Sequence, residues 1–399
     1  MGDTRSYAGT AGRHYGMDWL RVGAFALLIL YHVGMYFVPW DWHVKAAHPD
    51  PNAAILMLPT NSWRLALLFL VSGYASAAVF AREPSPTGFA RSRSARLLVP
   101  LVFAVIVVIP PQPWIELMFK HGYTESFGHF WLHDYFRFGA LEGIILPTWQ
   151  HLWFVVYLWV YSMALALLML IPAGVRARVA QLCEAALAGP GILALPIALM
   201  VLRALVLFPG VGETHALVDD GAAHALYFPC FLFGVLLRRS PVLWAAIRRW
   251  WRVAAVLAVA AYAVVAMIEY RYPGDTPLDD TLTALFRGAR AVQGWAMIVA
   301  LIGIADRWLN RDAPIRPMLT EAVFPLYIAH QTIIVAVGWW LLPLGLPNFA
   351  AFAILVAVTA AGSWLFYIVG RSVPWLRPLI GLAAKEKGRP EGRPSPTSV

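Results

Sequence analysis

Charged residues are scarce in this sequence of 399 residues, since Asp, Glu, Lys and Arg together make up only 13% of it. Soluble domains carry about 25%. Hydrophobic residues make up 60% and include 18 Trp, 21 Phe and 15 Tyr. Because a soluble core of this length could not bury so many apolar side chains, the composition excludes a soluble enzyme and a disordered chain. It indicates a polytopic membrane protein.

Cysteine is equally scarce, with Cys183 and Cys230 as the only two. Two distant cysteines exclude a disulfide scaffold and a cysteine-rich zinc site.

The 22 acidic residues are outnumbered by 31 Lys and Arg residues, which gives a net charge of +9. The basic residues lie between apolar segments, where membrane topology explains them better than nucleic-acid binding. We therefore expect no nucleic-acid partner.

Long apolar segments are abundant. A helix needs about 20 mostly apolar residues to cross a bilayer, and we predict about ten such spans, at roughly 18–39, 63–81, 97–117, 150–172, 187–209, 222–237, 253–269, 289–306, 318–342 and 348–370. The sixth is short and the fifth contains Pro196, so nine and eleven spans are alternatives. The predicted fold is an all-α integral membrane protein with one transmembrane domain over 18–372.

The basic residues are divided unevenly between alternate loops. Most of them lie in one set, and the opposite set contains Lys45, Lys120, Arg137, Arg271, Arg287 and Arg290. Loops rich in Lys and Arg stay in the cytoplasm, so an even number of spans places both termini there. We predict a cytoplasmic N-terminal segment over 1–17. The polar, proline-rich end at 385–399 is predicted to be a disordered cytoplasmic tail.

The first span contains three ionisable residues on one stripe. Arg21 and His32 are separated by three helical turns, a rise of about 16 Å, and Asp18 lies one turn from Arg21 as an expected ion-pair partner. Arg21 could simply extend to the interface and His32 could bond a neighbouring helix. Because ionisable residues inside a membrane are costly, the aligned set favours a functional site.

Other polar residues enter spans at the level of His32. His151 and Trp153 open one inward-running span, Arg64 opens another, and His330 lies in the outer half of the ninth. We predict that they converge with His32 on a polar cavity that binds substrate. An interfacial aromatic belt is the simpler interpretation of His151, and structural and functional interpretations of His330 are balanced. The histidines lack metal-ligand spacing and a nearby carboxylate, so we expect no metal.

Arg93 and Arg96 lie one helical turn apart at the start of the third span. Anchoring by the positive-inside rule is the simpler interpretation of this pair. The alternative is a phosphate clamp, because the guanidinium fork matches phosphate oxygens.

These residues also carry a family resemblance. Arg21 and His32 form an Arg-x10-His pattern, Arg93 and Arg96 form RxxR, and further matching stretches are LFLVSGYAS, QHLWFVVYL, RYPGD and LYIAHQ. With the layout of spans, they make the chain resemble acyltransferase family 3, the integral membrane O-acyltransferases. Within that family it resembles the bacterial glucan succinyltransferases in particular.

The resemblance implies transfer of an acetyl or succinyl group from cytoplasmic acyl-CoA to a hydroxyl of an envelope or periplasmic glycan, in a bacterial inner membrane. Acyl-CoA would be a co-substrate, with no tightly bound cofactor. His32 is expected to be the general base, helped by Arg21 and Asp18, and a covalent acyl-histidine is the alternative. Arg64, His151 or His330 would stabilise the oxyanion or orient the acceptor. A transporter or flippase for an envelope glycan or lipid, and a scaffold protein, are the competing hypotheses.

Overall fold

Helices make up most of the computed structural model, which describes residues 14–83, 85–274 and 276–384. The predicted tail at 385–399, and 1–13 of the predicted N-terminal segment, lie outside these residues. The α-helices are α1 Tyr15–Met35, α2 Ala53–Asn61, α3 Arg64–Arg82, α4 Pro86–Phe103, α5 Pro111–His121, α6 Phe127–His129, α7 Trp153–Leu168, α8 Ala173–Leu187, α9 Gly191–Leu202, α10 Gly221–Leu237, α11 Pro241–Arg271, α12 Asp280–Ile304, α13 Arg316–Leu341, α14 Asn348–Ser372 and α15 Leu376–Leu379.

Short irregular turns extend several of these helices. Four are π-helical, at Ala104–Val108, Phe130–Asp134, Arg203–Leu207 and Ala305–Leu309, and two are 3₁₀, at Gln150–Leu152 and Leu342–Leu344. The described strands are β1 Gly139–Leu141 and β2 Ile144–Leu146, which pair as a small antiparallel hairpin. This hairpin lies in the connection between α5 and α7, beside the site described below.

The lengths and apolar composition of the helices confirm a multi-pass membrane protein. Within the described residues, seven helices are long and apolar enough to span a membrane. The number rises to nine if two bent pairs count as single spans, one bent by 43° after Val108 and one by 95° after Leu187. The apolar helix α10 has only 17 residues. The count of ten spans and the cytoplasmic termini stay predictions.

Side-chain caps fix where helices begin around the site. Asp220 accepts a hydrogen bond from the backbone N–H of Ala223 at the start of α10. Asp279 does the same for Leu282 at the start of α12. An oxygen at this position satisfies an N–H that has no partner inside the helix. The cap at Asp220 also ends the loop that reaches over the site.

Two glycines allow α3 and α10 to pack in direct backbone contact. A Cβ atom added to Gly73 would overlap the carbonyl group of Phe231, and one added to Gly234 would overlap the carbonyl group of Leu70. Small residues permit such close approach between membrane helices. The contact holds Arg64, on the first turn of α3, close to Tyr227 of α10.

We expect Gly73→Ala to destabilise the protein by about 1–3 kcal/mol, because the added methyl group overpacks a backbone contact. The melting temperature of the detergent-solubilised protein measures this effect. Gly23→Ala is the matched control, since nothing lies within 4 Å of a Cβ atom at Gly23 on α1. Equal melting temperatures for the two variants would contradict the proposed close packing of α3 on α10.

Candidate functional site

Two adjoining cavities lie at the end of the bundle where α1, α3, α7 and α13 meet. The helix-side chamber has a volume of about 370 Å³ and is lined by Leu28, Tyr31, His32, Met35, Trp42, Asn61, Arg64, Leu65, His151, Trp153, Phe154, Glu213, His215, Tyr227 and Tyr327. The loop-side chamber has a volume of about 520 Å³ and is lined by His32, Trp42, His43, Ile145, Pro147, Thr148, Trp149, Gln150, His151, Trp153, Thr214, His215, Ala216 and Gln331. Their volumes are those of substrate pockets.

His32 lines both chambers and is hydrogen-bonded to His330, which lines neither of them. The Nδ1 atom of His32 lies 2.7 Å from Nε2 of His330, and the rings are stacked with centroids 5.0 Å apart. The other nitrogen of His330, Nδ1, lies 2.7 Å from the carbonyl oxygen of Tyr327. A carbonyl oxygen only accepts, so His330 Nδ1 carries the proton there.

This arrangement determines the tautomer of a neutral His32. With its proton on Nδ1, His330 presents a lone pair at Nε2, and His32 Nδ1–H donates to it. The proton of His32 is therefore on Nδ1, which leaves a lone pair on Nε2. Among the described residues, Nε2 of His32 has no hydrogen-bond partner. The site thus holds an imidazole with a free basic nitrogen at the junction of the two chambers.

His151 also lines both chambers and is tied to α13. Its Nε2 lies 3.1 Å from the carbonyl oxygen of Tyr327 and so donates to it, while the hydroxyl group of Tyr327 donates back to the carbonyl oxygen of His151. The remaining nitrogen, Nδ1, is buried and has no partner within the part of the chain that the structure describes. In the neutral ring this nitrogen is an acceptor, so it suits a hydroxyl group better than an oxyanion.

Arg64 is a buried cation in the wall of the helix-side chamber, with only 3% of its surface exposed. Its guanidinium carbon lies 3.7 Å from the centroid of the Tyr31 ring. One terminal nitrogen, Nη1, donates to Thr60 Oγ1 at 3.1 Å, and the buried Nε–H has no partner among the residues described. Arg64 therefore presents positive charge and an unused donor beside His32.

Aromatic side chains form the walls between which a ligand would lie. Trp153 stacks on His215 with ring centroids 4.3 Å apart, and Trp42 lies 5.4 Å from His32 by the same measure. Glu213, in the same loop as His215, accepts from the hydroxyl group of Tyr227 at 2.7 Å. The loop over the site is held in place by Asp220, whose Oδ2 accepts from the backbone N–H of His215 at 3.0 Å.

Lys45 binds the loop that contains Trp42 to the C-terminal end of α1. Its Nζ atom donates to the carbonyl oxygens of Met35, at 2.7 Å, and Val38, at 2.8 Å. Burial lowers the pKa of this amine to about 8, against the opposing effect of the nearby Asp41 carboxylate. The bond to Met35 uses a carbonyl group that the end of α1 leaves without a partner inside the helix.

A second group of charged residues lies at the opposite end of α1. Asp18 forms an ion pair with Arg316, whose Nη1 lies 2.8 Å from Asp18 Oδ2. Arg21 donates from Nη2 to the carbonyl oxygen of Thr320 at 3.1 Å. Both contacts bind α1 to the start of α13. The ion pair expected between Asp18 and Arg21 stays a prediction.

Arg93 is buried at this end, with 9% of its surface exposed. Its Nε lies 3.3 Å from Ser162 Oγ on α7, and the charges of Arg96 and Arg21 act on it. Simple anchoring at the membrane surface predicts an exposed side chain, which suits Arg96 but not Arg93. Three arginines from α1 and α4 thus bring positive charge to one place.

The structure brings most of the sequence-predicted residues together. Arg64, His151 and Trp153 line the chambers with His32. His330 lines neither chamber and contacts His32 instead. Within the described residues, no group of three His, Cys, Asp or Glu side chains is arranged to hold a metal ion.

Sequence reasoning missed Trp42, Glu213, His215 and Gln331. The first three lie in loops, where no periodicity of the sequence shows which side chains face the chambers. For Gln331 a signal was present, because it directly follows His330 and faces the same bundle interior.

Comparison with known proteins adds an independent finding. A family model described as an acyltransferase domain matches residues 14–368. Similar proteins include those named Glucans biosynthesis protein C from Escherichia coli O6:K15:H31 (strain 536 / UPEC) and from Escherichia coli O157:H7 (strain EC4115 / EHEC). Each is 24% identical over 379 residues, which cover 92% of this chain and 94% of the relative. No solved structure gives a significant match.

Proposed function

The chain belongs to the acyltransferase domain family and is a membrane O-acyltransferase, and from this premise we propose that it moves an acyl group from acyl-CoA to a hydroxyl group of an envelope glycan. The observation that carries the proposal is the free Nε2 of His32 at the junction of two chambers. The name of the relatives, which concerns the biosynthesis of glucans, supports a glycan acceptor. We propose a bacterial inner membrane as the location.

His32 is the general base in this proposal. Its Nε2 takes the proton of the acceptor hydroxyl group as the hydroxyl oxygen attacks the carbonyl carbon of the thioester. The carbon–sulfur bond then breaks, and the departing CoA thiolate takes the proton back from Nε2. The products are an ester and the free thiol, with no net change in protons. Attack by Nε2 itself, which gives an acyl-histidine, is the alternative route.

The other residues of the helix-side chamber orient the reactants. We assign the stabilisation of the negatively charged tetrahedral oxygen to Arg64, because it presents both charge and an unused Nε–H. A fixed donor of this kind acts where charge develops in the transition state. His151, with its free acceptor, orients the attacking hydroxyl group, and Trp153 supplies an apolar wall for the sugar.

Acyl-CoA is assigned to the other end of α1. Arg93 and Arg96 would bind the phosphate groups of CoA, and Arg21, supported by Thr320, would line the route of the pantetheine arm towards His32. Arginine binds phosphate through paired hydrogen bonds. Asp18 holds Arg316 and so fixes the base of α1. Acetyl-CoA and succinyl-CoA are the two donors to be compared.

His330 is a positioning residue for His32. We expect His330→Ala to lower kcat roughly 10- to 100-fold, a part of the 10²–10⁴-fold typical of general-base catalysis, because Nδ1 of His32 loses the acceptor that fixes its tautomer. His330→Gln should restore part of the rate, since its amide oxygen accepts from His32 Nδ1–H. Turnover measured in proteoliposomes checks both variants. If the glutamine variant is no better than the alanine variant, the tautomer argument is wrong.

A vesicle assay tests the function itself. Purified protein in proteoliposomes receives acetyl-CoA or succinyl-CoA on one side and glucan oligosaccharides on the other. Release of free CoA thiol that requires the glucan, together with a matching mass increment on the glucan, supports acyl transfer. Movement of unmodified glucan without thiol release supports a transporter and overturns the proposal.

A further inference from the structure

Four residues that line the two chambers each have a buried polar atom without a hydrogen-bond partner among the described residues. These atoms are Trp42 Nε1, Arg64 Nε, His151 Nδ1 and Gln331 Oε1. Buried polar groups in folded proteins are almost always paired. Two of these atoms are donors and two are acceptors, which is the set that a polyhydroxylated ligand satisfies, since each hydroxyl group both donates and accepts.

Gln331 is the most constrained of the four. It lines the loop-side chamber, and only 2% of its surface is exposed. Its Nε2 lies 2.9 Å from Nε2 of His43 and 3.1 Å from Oε1 of Gln112. Both N–H groups of the amide are therefore used within the protein. Only the amide oxygen is left for a ligand.

A chain of hydrogen bonds fixes this orientation of the amide. Glu116 Oε2 lies 2.5 Å from His43 Nδ1, and Glu116 is in turn bonded by Lys120 at 2.8 Å. An ionised carboxylate only accepts, so a neutral His43 donates from Nδ1 and has a lone pair on Nε2. That lone pair requires the NH₂ side of Gln331 to face His43. Lys120, Glu116 and His43 thereby determine which way Gln331 Oε1 points.

The loop-side chamber also provides surfaces for a sugar ring. The indole of Trp42 and the stacked pair of Trp153 and His215 are aromatic groups on its walls. Sites for small polar ligands combine such apolar surfaces with a few fixed polar groups. The chamber adjoins His32, where the reacting hydroxyl group has to lie.

We propose that the loop-side chamber binds one sugar ring of the acceptor, with Gln331 Oε1 accepting a hydrogen bond from a hydroxyl group next to the one that reacts at His32. Trp42 Nε1–H donates to a second hydroxyl oxygen of the same ring. This inference rests on the proposed function and specifies its acceptor site. His43 and Glu116 are positioning residues for Gln331 and do not touch the sugar.

The test compares Gln331→Met with Gln293→Met in the proteoliposome assay, with β-linked glucotetraoses of defined linkage as the acceptor probe. Gln293 is a matched control, because it is also buried, with 1% of its surface exposed, and its Oε1 also lacks a partner in the described ranges. It lines neither chamber. We expect Gln331→Met to raise the acceptor KM about tenfold, the order of one lost hydrogen bond, with kcat and the acyl-CoA KM changed less than twofold. Gln293→Met should leave all three values within twofold.

Trp42→Phe provides a second measurement, because it removes the Nε1–H together with the five-membered ring of the indole and keeps a six-membered aromatic ring. It should also raise the acceptor KM severalfold. A tetraose that lacks the contacted hydroxyl group should be a poorer acceptor for the wild type but should lose nothing further with Gln331→Met. An unchanged acceptor KM in both Gln331→Met and Trp42→Phe, or equal effects of the two glutamine variants, would overturn the inference. Failure of the wild type to release thiol with any tetraose would instead refute the proposed function.

Discussion

Replacing His32 with alanine is expected to lower kcat for acyl transfer by about 10²–10⁴-fold, the usual contribution of a positioned general base. The variant removes the free Nε2 of His32, whose ring lines both chambers and is held through Nδ1 by His330. The measurement is glucan-dependent release of CoA thiol from proteoliposomes that contain equal amounts of folded protein. The same variant should also abolish the acyl increment on envelope glycans detected by mass spectrometry.

A control separates loss of chemistry from loss of protein. His48 is exposed in the connection after α1, so His48→Ala should accumulate in the membrane and turn over like the wild type. His32→Ala should accumulate to the same level. Wild-type turnover in His32→Ala would remove this residue from the mechanism. A trapped acyl group on His32, found by mass spectrometry of the intact protein, would favour the covalent route over direct attack.

The double variant Arg93→Ala with Arg96→Ala is expected to raise the acyl-CoA KM by at least about tenfold. Each charge-assisted hydrogen bond to a phosphate group contributes roughly 1.5–3 kcal/mol, which corresponds to about 10- to 100-fold in affinity. The acceptor KM should stay within twofold, because both arginines lie away from the two chambers. Initial rates at varied acyl-CoA and fixed glucan measure the difference.

Two comparisons make this second prediction specific. Arg91 is exposed on the same helix, so Arg91→Ala should leave the acyl-CoA KM unchanged. The loss in the double variant should shrink when the donor is an acyl-dephospho-CoA, if one of the lost contacts is to the 3′-phosphate. An unchanged acyl-CoA KM in the double variant would return both residues to the anchoring role.

The helical membrane fold could be predicted from the sequence because each span has its own run of apolar residues. About 20 apolar residues suffice to predict a helix in a bilayer, and each of the ten predicted segments overlaps at least one helix, although several run past a helix end or across a break. The bends were not predicted from the sequence; the 95° break between α8 and α9 lies at Pro190 and at Gly189, whose φ is +55°. Nor was the hairpin at β1 and β2, because three-residue strands are too short to show periodicity.

The sequence predicted some residues of the candidate site but not how they are arranged. The sequence identified four ionisable residues at one depth in the membrane, namely His32, Arg64, His151 and His330. Burying such residues costs free energy, which favours a functional role for them. Depth alone could not show that His330 lies behind His32 and outside the chambers, which is a matter of how α1 and α13 are rotated against each other. Sequence position also gave no indication of which nitrogen of each ring carries the proton.

The sequence by itself determined the class of the protein, the presence of many membrane helices and the family resemblance, because these follow from composition and from motifs within single segments. Only the tertiary structure decided which nitrogen of His32 is free, why Gln331 presents its oxygen and how loop residues such as Trp42 and His215 enter the site. Each of these depends on contacts between residues distant in sequence, such as His43 with Gln331. The sequence shows which residues each helix contains, but not which residues of other segments contact that helix.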